Sequence, residues 1–183
     1  IDVICPHSDG IRIWLGCTEA LMLFDPRDER LTRFDARNSE GKGIRNCISL
    51  LYDPLGDLWI GTDDGLFRWD ERIGRLFRYE LEESDGGTCR GIRTIFEDNG
   101  GEIWVGTTAG LYRKTDRFGR NAKPKPESSL LGDNEITAIV EAEDGKLLIG
   151  MQNGYLGEFD IYTGRFTQFP AFDAEGKQLS VAR

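Results

Sequence analysis

The sequence predicts an all-β chain of four consecutive four-stranded antiparallel blades, a partial β-propeller, and three observations carry that prediction. Tryptophan recurs at Trp14, Trp59 and Trp104, a period of 45 residues. Each lies in one recurring string, RIWLGCTEALMLFD, DLWIGTDDGLFRWD and EIWVGTTAGLYRKTD, and a fourth copy, KLLIGMQNGYLGEFD, places Leu148 in the tryptophan position. Glycine supplies 23 of 183 residues, well above ordinary usage, which calls for many tight turns.

The second copy shows the four strands most plainly. Strand A is Cys47–Tyr52, followed by the turn DPLGD; strand B is Leu58–Thr62, followed by DDG. Strand C is Leu66–Asp70, followed by ERIG, and strand D is Arg75–Tyr79. Each run is short, rich in aromatic and branched residues, and bounded by turn formers, so neighbours pair as hairpins. Strand A carries Ile48, Leu50 and Leu51 without polar alternation, the pattern of a sheet covered on both faces. A lone meander cannot bury both faces, so the units must stack around an axis.

The copies extend beyond that centre. Ile1, Cys47, Ile92 and Ile136 align at the start of strand A, and Ile4, Leu50, Ile95 and Ile139 follow three residues on. RLTRF, RLFRY and GRFTQF end the first, second and fourth units. The third has RNAKPKPESSLLGDN instead, so it is expected to lose its last strand to a longer loop between Arg117 and Asn134. Blades are expected at about 1–43, 44–88, 89–132 and 133–172, with 173–183 the start of a further blade or a tail. Hairpin-length links exclude a parallel β-helix.

Net charge is −9, which argues against a nucleic-acid partner, since phosphate neutralisation needs clustered Lys and Arg. No run of 18 apolar residues and no leader pattern is visible, so any membrane attachment belongs to segments outside this sequence. Cys5, Cys17, Cys47 and Cys89 match no zinc spacing; Cys5 and Cys17 hold strand positions and read as small buried hydrophobes, Cys89 falls in a loop, and neither a metal site nor a cofactor is expected.

The sole histidine, His7, falls in the first A–B turn and reads as a turn residue, which leaves no pair for nucleophilic catalysis. Asp53, Asp57, Asp63, Asp64, Asp98 and Glu102 sit beside turn glycines, where they are expected to cap backbone; a weak calcium site is the alternative. Gly61 and Gly65 read as hairpin glycines. Trp14, Trp59, Trp69, Trp104, Phe67 and Tyr112 recur in register and belong to the core, whereas Tyr155 and Phe172 break register and are better ligand candidates.

Strand A ending in an acidic turn, then G-x-[IL]-W-[IV]-G-T-x-x-G-L-[FY]-R, resembles the two-component regulator propeller repeat, best in LYDPLGDLWIGTDDGLFRWD and FEDNGGEIWVGTTAGLYR. The first copy departs at Cys17 and Ala20, the fourth at Leu148, Met151 and Tyr155. The resemblance implies a periplasmic sensor region of a membrane-bound hybrid histidine kinase, many of which respond to carbohydrates, with the kinase elsewhere in the protein. It also implies more than four blades, hence further blades or a homodimer partner at the open ends.

With strand A innermost, the D–A links and B–C turns share one face around the axis. Arg45, Arg90 and Asn134 hold equivalent positions just before strand A, and Asn46, Arg93, Asp64, Gln152 and Asn153 join them in an expected polar ring. Guanidinium and amide groups there suit an oligosaccharide or another small polar ligand. A docking scaffold without a small ligand is the alternative function.

Overall fold

A computed structural model describes residues 1–34, 44–79, 81–82, 88–89, 91–115, 120–122, 135–143, 145–170 and 175; for 82, 88–89, 115 and 120–122 it describes the backbone alone. Every regular element among them is a β-strand. The first blade comprises β1 (Val3–Pro6), β2 (Ile13–Gly16), β3 (Leu21–Asp25) and β4 (Arg30–Phe34). The second comprises β5 (Cys47–Tyr52), β6 (Asp57–Thr62), β7 (Gly65–Asp70) and β8 (Arg75–Tyr79). A small hairpin follows, β9 (Leu81–Glu82) with β10 (Thr88–Cys89), which takes Cys89 out of its expected loop because its backbone pairs with Leu81. The third blade is β11 (Ile92–Glu97), β12 (Ile103–Thr107), β13 (Gly110–Thr115) and β14 (Arg120–Ala122). The fourth is β15 (Ile136–Glu143), β16 (Lys146–Met151), β17 (Leu156–Asp160) and β18 (Phe166–Gln168).

Each blade is an antiparallel meander with its strands in chain order. The third blade keeps a fourth strand, contrary to expectation. Arg120–Ala122 pairs with Arg113–Thr115, since a sheet edge asks only for backbone partners and tolerates a polar sequence. First strands of successive blades lie against one another, β1 on β5, β5 on β11 and β11 on β15, so strand A lines the axis.

The core lies between blades, and each joint has its own cluster. Trp14 and Leu21 of blade one pack with Cys47, Leu50, Ile60 and Phe67 of blade two. Trp59 and Leu66 of blade two meet Ile92, Ile95 and Val105 of blade three. Trp104 and Leu111 meet Ile136, Ile139 and Ile149 of blade four. Trp14, Trp59 and Trp104 are each at most 1% exposed, so the periodic tryptophans are the wedges between blades. Tyr155 packs against the last of these clusters while remaining partly exposed, and Phe172 lies outside the described residues.

Gly61 corrects its turn assignment. It sits inside β6, and a Cβ there would come 2.6 Å from Ile92 Cγ2 of the next blade. Close approach of the neighbouring inner strand demands glycine, while Gly65, with φ +135°, serves the turn.

Candidate functional site: the axial face

The face carrying the D–A links and B–C turns is built from residues flanking strand A. Arg93 on β11 is its centre. Its guanidinium bonds Asp63 of the second B–C turn at 2.7 Å and Glu135, which precedes β15, on the other side. One side chain of blade three thus ties turns of blades two and four. Both carboxylates raise the Arg93 pKa, Glu135 the more strongly.

Asp64 lies beside Asp63, and its carbonyl accepts Arg78 of β8 at 2.8 Å. Asn153 turns inward on its own loop, its side chain accepting the Tyr155 amide at 3.2 Å as an Asx turn. Gln152 is exposed and held by its backbone, donating to the Glu135 carbonyl at 2.9 Å, so it neighbours the Arg93–Glu135 pair. Asn46 adopts φ 50° and donates its amide to Thr18 of blade one at 2.8 Å; the exposed Arg45 precedes it. Arg90 and Asn134 lie outside the described residues. The structure therefore brings Gln152 to the Arg93–Glu135 pair, holds Asp64 against Arg78 instead, and sets Arg45 and Asn46 at the first joint.

Sequence reasoning missed Asp63 and Glu135 as the partners of Arg93. A signal existed: each flanks strand A or the B–C turn, the two segments that share this face. Two carboxylates, Asp63 and Glu135, share the guanidinium of Arg93, while the carboxylate of Asp64 in the same turn lies 3.9 Å from the guanidinium of Arg78.

The opposite face carries the A–B and C–D turns. Between blades two and three it has a cleft of about 250 Å³ walled by Pro54, Leu55 and Ile103, with Glu97 and Lys114 at its rim. Burial pushes the Glu97 carboxyl above its ordinary range, and the neighbouring Asp53 and Asp98 add to that. Lys114 Nζ stands 4.6 Å from the Trp59 ring centre, a cation–π contact.

On this same face, Asp53 and Asp98 prove to be buried turn caps with a second role. Asp53 Oδ1 accepts the amides of Leu55 (3.0 Å) and Asp57 (2.9 Å), while Oδ2 accepts the Trp59 indole at 2.8 Å. Asp98 repeats this with Glu102 and Trp104, at 2.9 and 2.8 Å. Their oxygens are committed to the fold, which favours turn capping over calcium.

His7, expected as a turn residue, is 5% exposed and joins two blades. Its Nδ1 accepts the Asp9 amide at 3.1 Å, and its Nε2 lies 3.0 Å from a Glu71 carboxylate oxygen of blade two and 3.1 Å from the Arg12 guanidinium. The Tyr52 hydroxyl donates to the same carboxylate at 2.6 Å. Neither ring nitrogen is left to serve a substrate as a base.

The model of the two component regulator propeller family matches residues 86–109, a stretch that takes in β11 and β12 and ends before β13. Among solved structures, the chain is similar to the extracellular domain of a putative one component system from B. thetaiotaomicron. That match has a TM-score of 0.77 and 22% identity, over 93% of this chain and 22% of the other. The extracellular domain of a putative hybrid two component system from the same organism gives 0.75 and 20%, over 96% and 26%. The Swd1 β-propeller domain of Myceliophteria thermophila gives 0.62 and 16%, over 96% and 59%. No curated protein matches the chain. These likenesses establish the β-propeller fold, here an unclosed arc. The chain spans about a quarter of the length of the two B. thetaiotaomicron domains.

Proposed function

We propose that this chain, which carries a two component regulator propeller repeat at residues 86–109, is an arc of an extracytoplasmic sensing propeller. It binds a neutral polyhydroxyl ligand on its axial face and does no chemistry itself. The observation that carries this reading is the Arg93 hub on a rigid inner strand, where side chains of three blades converge. A ligand bridging that hub would bias the relative placement of the blades, which is the physical content of sensing.

The charge at the hub narrows the ligand class. Arg93 is already neutralised by Asp63 and Glu135, so an anionic ligand would have to displace a carboxylate to reach that guanidinium. Sugar hydroxyls, which donate to carboxylates and accept from guanidinium and amide N–H, fit the same groups without that penalty. Extracellular domains of B. thetaiotaomicron signalling systems are the structural company the arc keeps, which supports an extracytoplasmic position. The committed state of His7 supports a non-catalytic role.

Titration calorimetry with matched neutral and uronic-acid oligosaccharides tests the assignment. Neutral sugars are expected to bind, with affinity falling about tenfold in Arg93→Met, as expected for loss of a charged hydrogen-bonding group. A folded protein that takes up no neutral oligosaccharide, or prefers uronic acids, overturns it. A docking scaffold is the second reading, favoured by the exposure of Ile1 (75%) and Ile4 (62%) on the first blade.

A further inference from the structure

The joints between blades differ in one row of residues on the face that carries the A–B and C–D turns. Strand register identifies the row. Tyr52, Glu97 and Glu141 of strand A stand opposite Leu58, Ile103 and Leu147 of strand B, which face Trp69, Lys114 and Phe159 of strand C. At the first joint Tyr52 and Trp69 pack against the core cluster. At the third, Phe159 is buried and Glu141 reaches across to blade three, where it accepts the Asn99 amide at 2.6 Å. The second joint has a carboxylate and an ammonium in these positions, and there the cleft of about 250 Å³ lies open.

Glu97 cannot be met as Glu141 is. Asn99 follows the turn cap Asp98; the residue that follows the cap of blade two, Asp53, is Pro54, which has no N–H to donate. Glu141 also accepts the Gly145 amide at 3.3 Å, whereas the corresponding Gly101 amide donates to the Asp98 carbonyl at 2.9 Å. Among the described residues no N–H or O–H donates to the Glu97 carboxylate. Its Oε1 lies at the cleft wall, 3.8 Å from where a Cβ on Gly101 would stand. Burial and the nearby charges of Asp53 and Asp98 disfavour its ionised form, so an N–H cation beside it is stabilising.

Lys114 brings the opposite charge to the same cleft, with Nζ 4.6 Å from the Trp59 ring centre. The apolar part of the wall is Pro54, Leu55 and Ile103, and Leu55 is 68% exposed. A ligand with only a positive charge meets Lys114, and one with only a negative charge meets Glu97 and the two aspartates. A zwitterion complements both groups. The cleft is smaller than the roughly 300–1,000 Å³ usual for drug-sized ligands, which suits one amino acid rather than a peptide.

We propose that this cleft binds a free α-amino acid with an apolar side chain. The ligand's ammonium group donates to Glu97, its carboxylate accepts from Lys114, and its side chain covers Pro54 and Leu55. The site lies on the face opposite the Arg93 hub and is independent of what binds there.

Titration calorimetry on the full chain reads each group in turn. L-Leucine or L-phenylalanine is expected to bind. Isopentylamine, which lacks the carboxylate, and N-acetyl-L-leucine, which lacks the ammonium, are each expected to bind about tenfold more weakly than L-leucine, or not at all. Glu97→Gln removes the charge and is expected to weaken amino-acid binding about tenfold. Pro54→Asn restores the missing backbone N–H, so it is expected to engage Glu97 as Asn99 engages Glu141 and to weaken binding without lowering the melting temperature. A purely structural Glu97 would leave the ranking of the three leucine-like probes unchanged in Glu97→Gln. A folded protein that binds neither amino acid, binds either truncated probe as tightly as L-leucine, or keeps its amino-acid affinity in either variant overturns the proposal.

Discussion

Blade one and blade three solve one structural problem in different ways. Both bury a tryptophan on strand B against the next blade, and both leave its indole N–H facing the end of strand A. In blade three that end is Asp98, whose Oδ2 takes the Trp104 indole at 2.8 Å; blade two does the same with Asp53 and Trp59 at 2.8 Å. In blade one the position belongs to His7, and the Trp14 indole has no hydrogen-bond partner among the described residues. His7 stacks near Trp14, with ring centres 6.1 Å apart, and sends its own hydrogen bond across the joint to Glu71. Blade four drops both partners, with Leu148 for the tryptophan and Ala142 where the aspartate would stand. Its turn is capped instead by Glu141, which accepts Gly145 at 3.3 Å and reaches Asn99 of blade three at 2.6 Å. The aspartate and the tryptophan thus form a unit: an intrablade lock in two blades, exchanged in the first for a clasp between blades.

The largest effect follows from breaking that lock. Asp98→Ala removes the acceptor of one buried indole and one turn amide at once, and Asp53→Ala removes three such bonds. Leaving a buried donor unmet costs about 1–3 kcal/mol, so each variant is expected to lose about 3 kcal/mol in urea unfolding. Asp→Asn at either site is expected to recover part of that, because the amide oxygen still accepts. A loss below about 1 kcal/mol in both alanine variants would show that the indole bond is incidental.

Tryptophan-to-phenylalanine variants sharpen the contrast with a smaller effect. Trp104→Phe orphans the buried Oδ2 of Asp98, whereas Trp14→Phe removes an N–H that has no partner among the described residues. Both forfeit similar volume, so the difference isolates the hydrogen bond. Trp104→Phe is expected to cost about 1–2 kcal/mol more than Trp14→Phe. Equal losses would mean that packing alone sets the value of the tryptophan in every blade.

The repeat made the strands legible because hairpin sheets depend on local pattern. Cys47–Tyr52 and Arg75–Tyr79 end where the sequence places them, whereas the inner position of strand A, a premise of the sequence reading, is fixed by the contacts of β1, β5, β11 and β15. What stayed hidden depends on contacts between copies. Gly61 looks like turn chemistry until Ile92 of another blade is set against it. Arg93 was singled out for the axial face, but its carboxylate partners lie 30 and 42 residues away, in turns of two other blades. His7 was hidden for the opposite reason: it breaks the repeat, and its partner Glu71 lies 64 residues away in the C–D turn of another blade. The short strand β14 was missed because edge pairing needs no hydrophobic pattern.

The smallest expected effect concerns the clasp that replaces the lock. Desolvation tends to raise the Glu71 carboxyl, but hydrogen bonds from Tyr52 and His7 outweigh it and hold the group below its ordinary value of 4.5. A carboxyl depressed in the folded state stabilises the fold once ionised, so its contribution is present above that value and is lost as pH falls through the folded one. Tyr52→Phe deletes the shortest of these bonds, at 2.6 Å, and leaves the His7 contact in place. Relative to the unaltered chain, its stability is therefore expected to decline less between neutral pH and the acid side of 4.5, with the two curves converging at the acid end. Glu71 is partly solvated, so the separation at neutral pH is expected to stay at or below about 1 kcal/mol. Parallel curves across the whole range would show that the tyrosine merely packs beside Glu71, leaving His7 and Arg12 of blade one as the groups that hold that carboxylate across the joint.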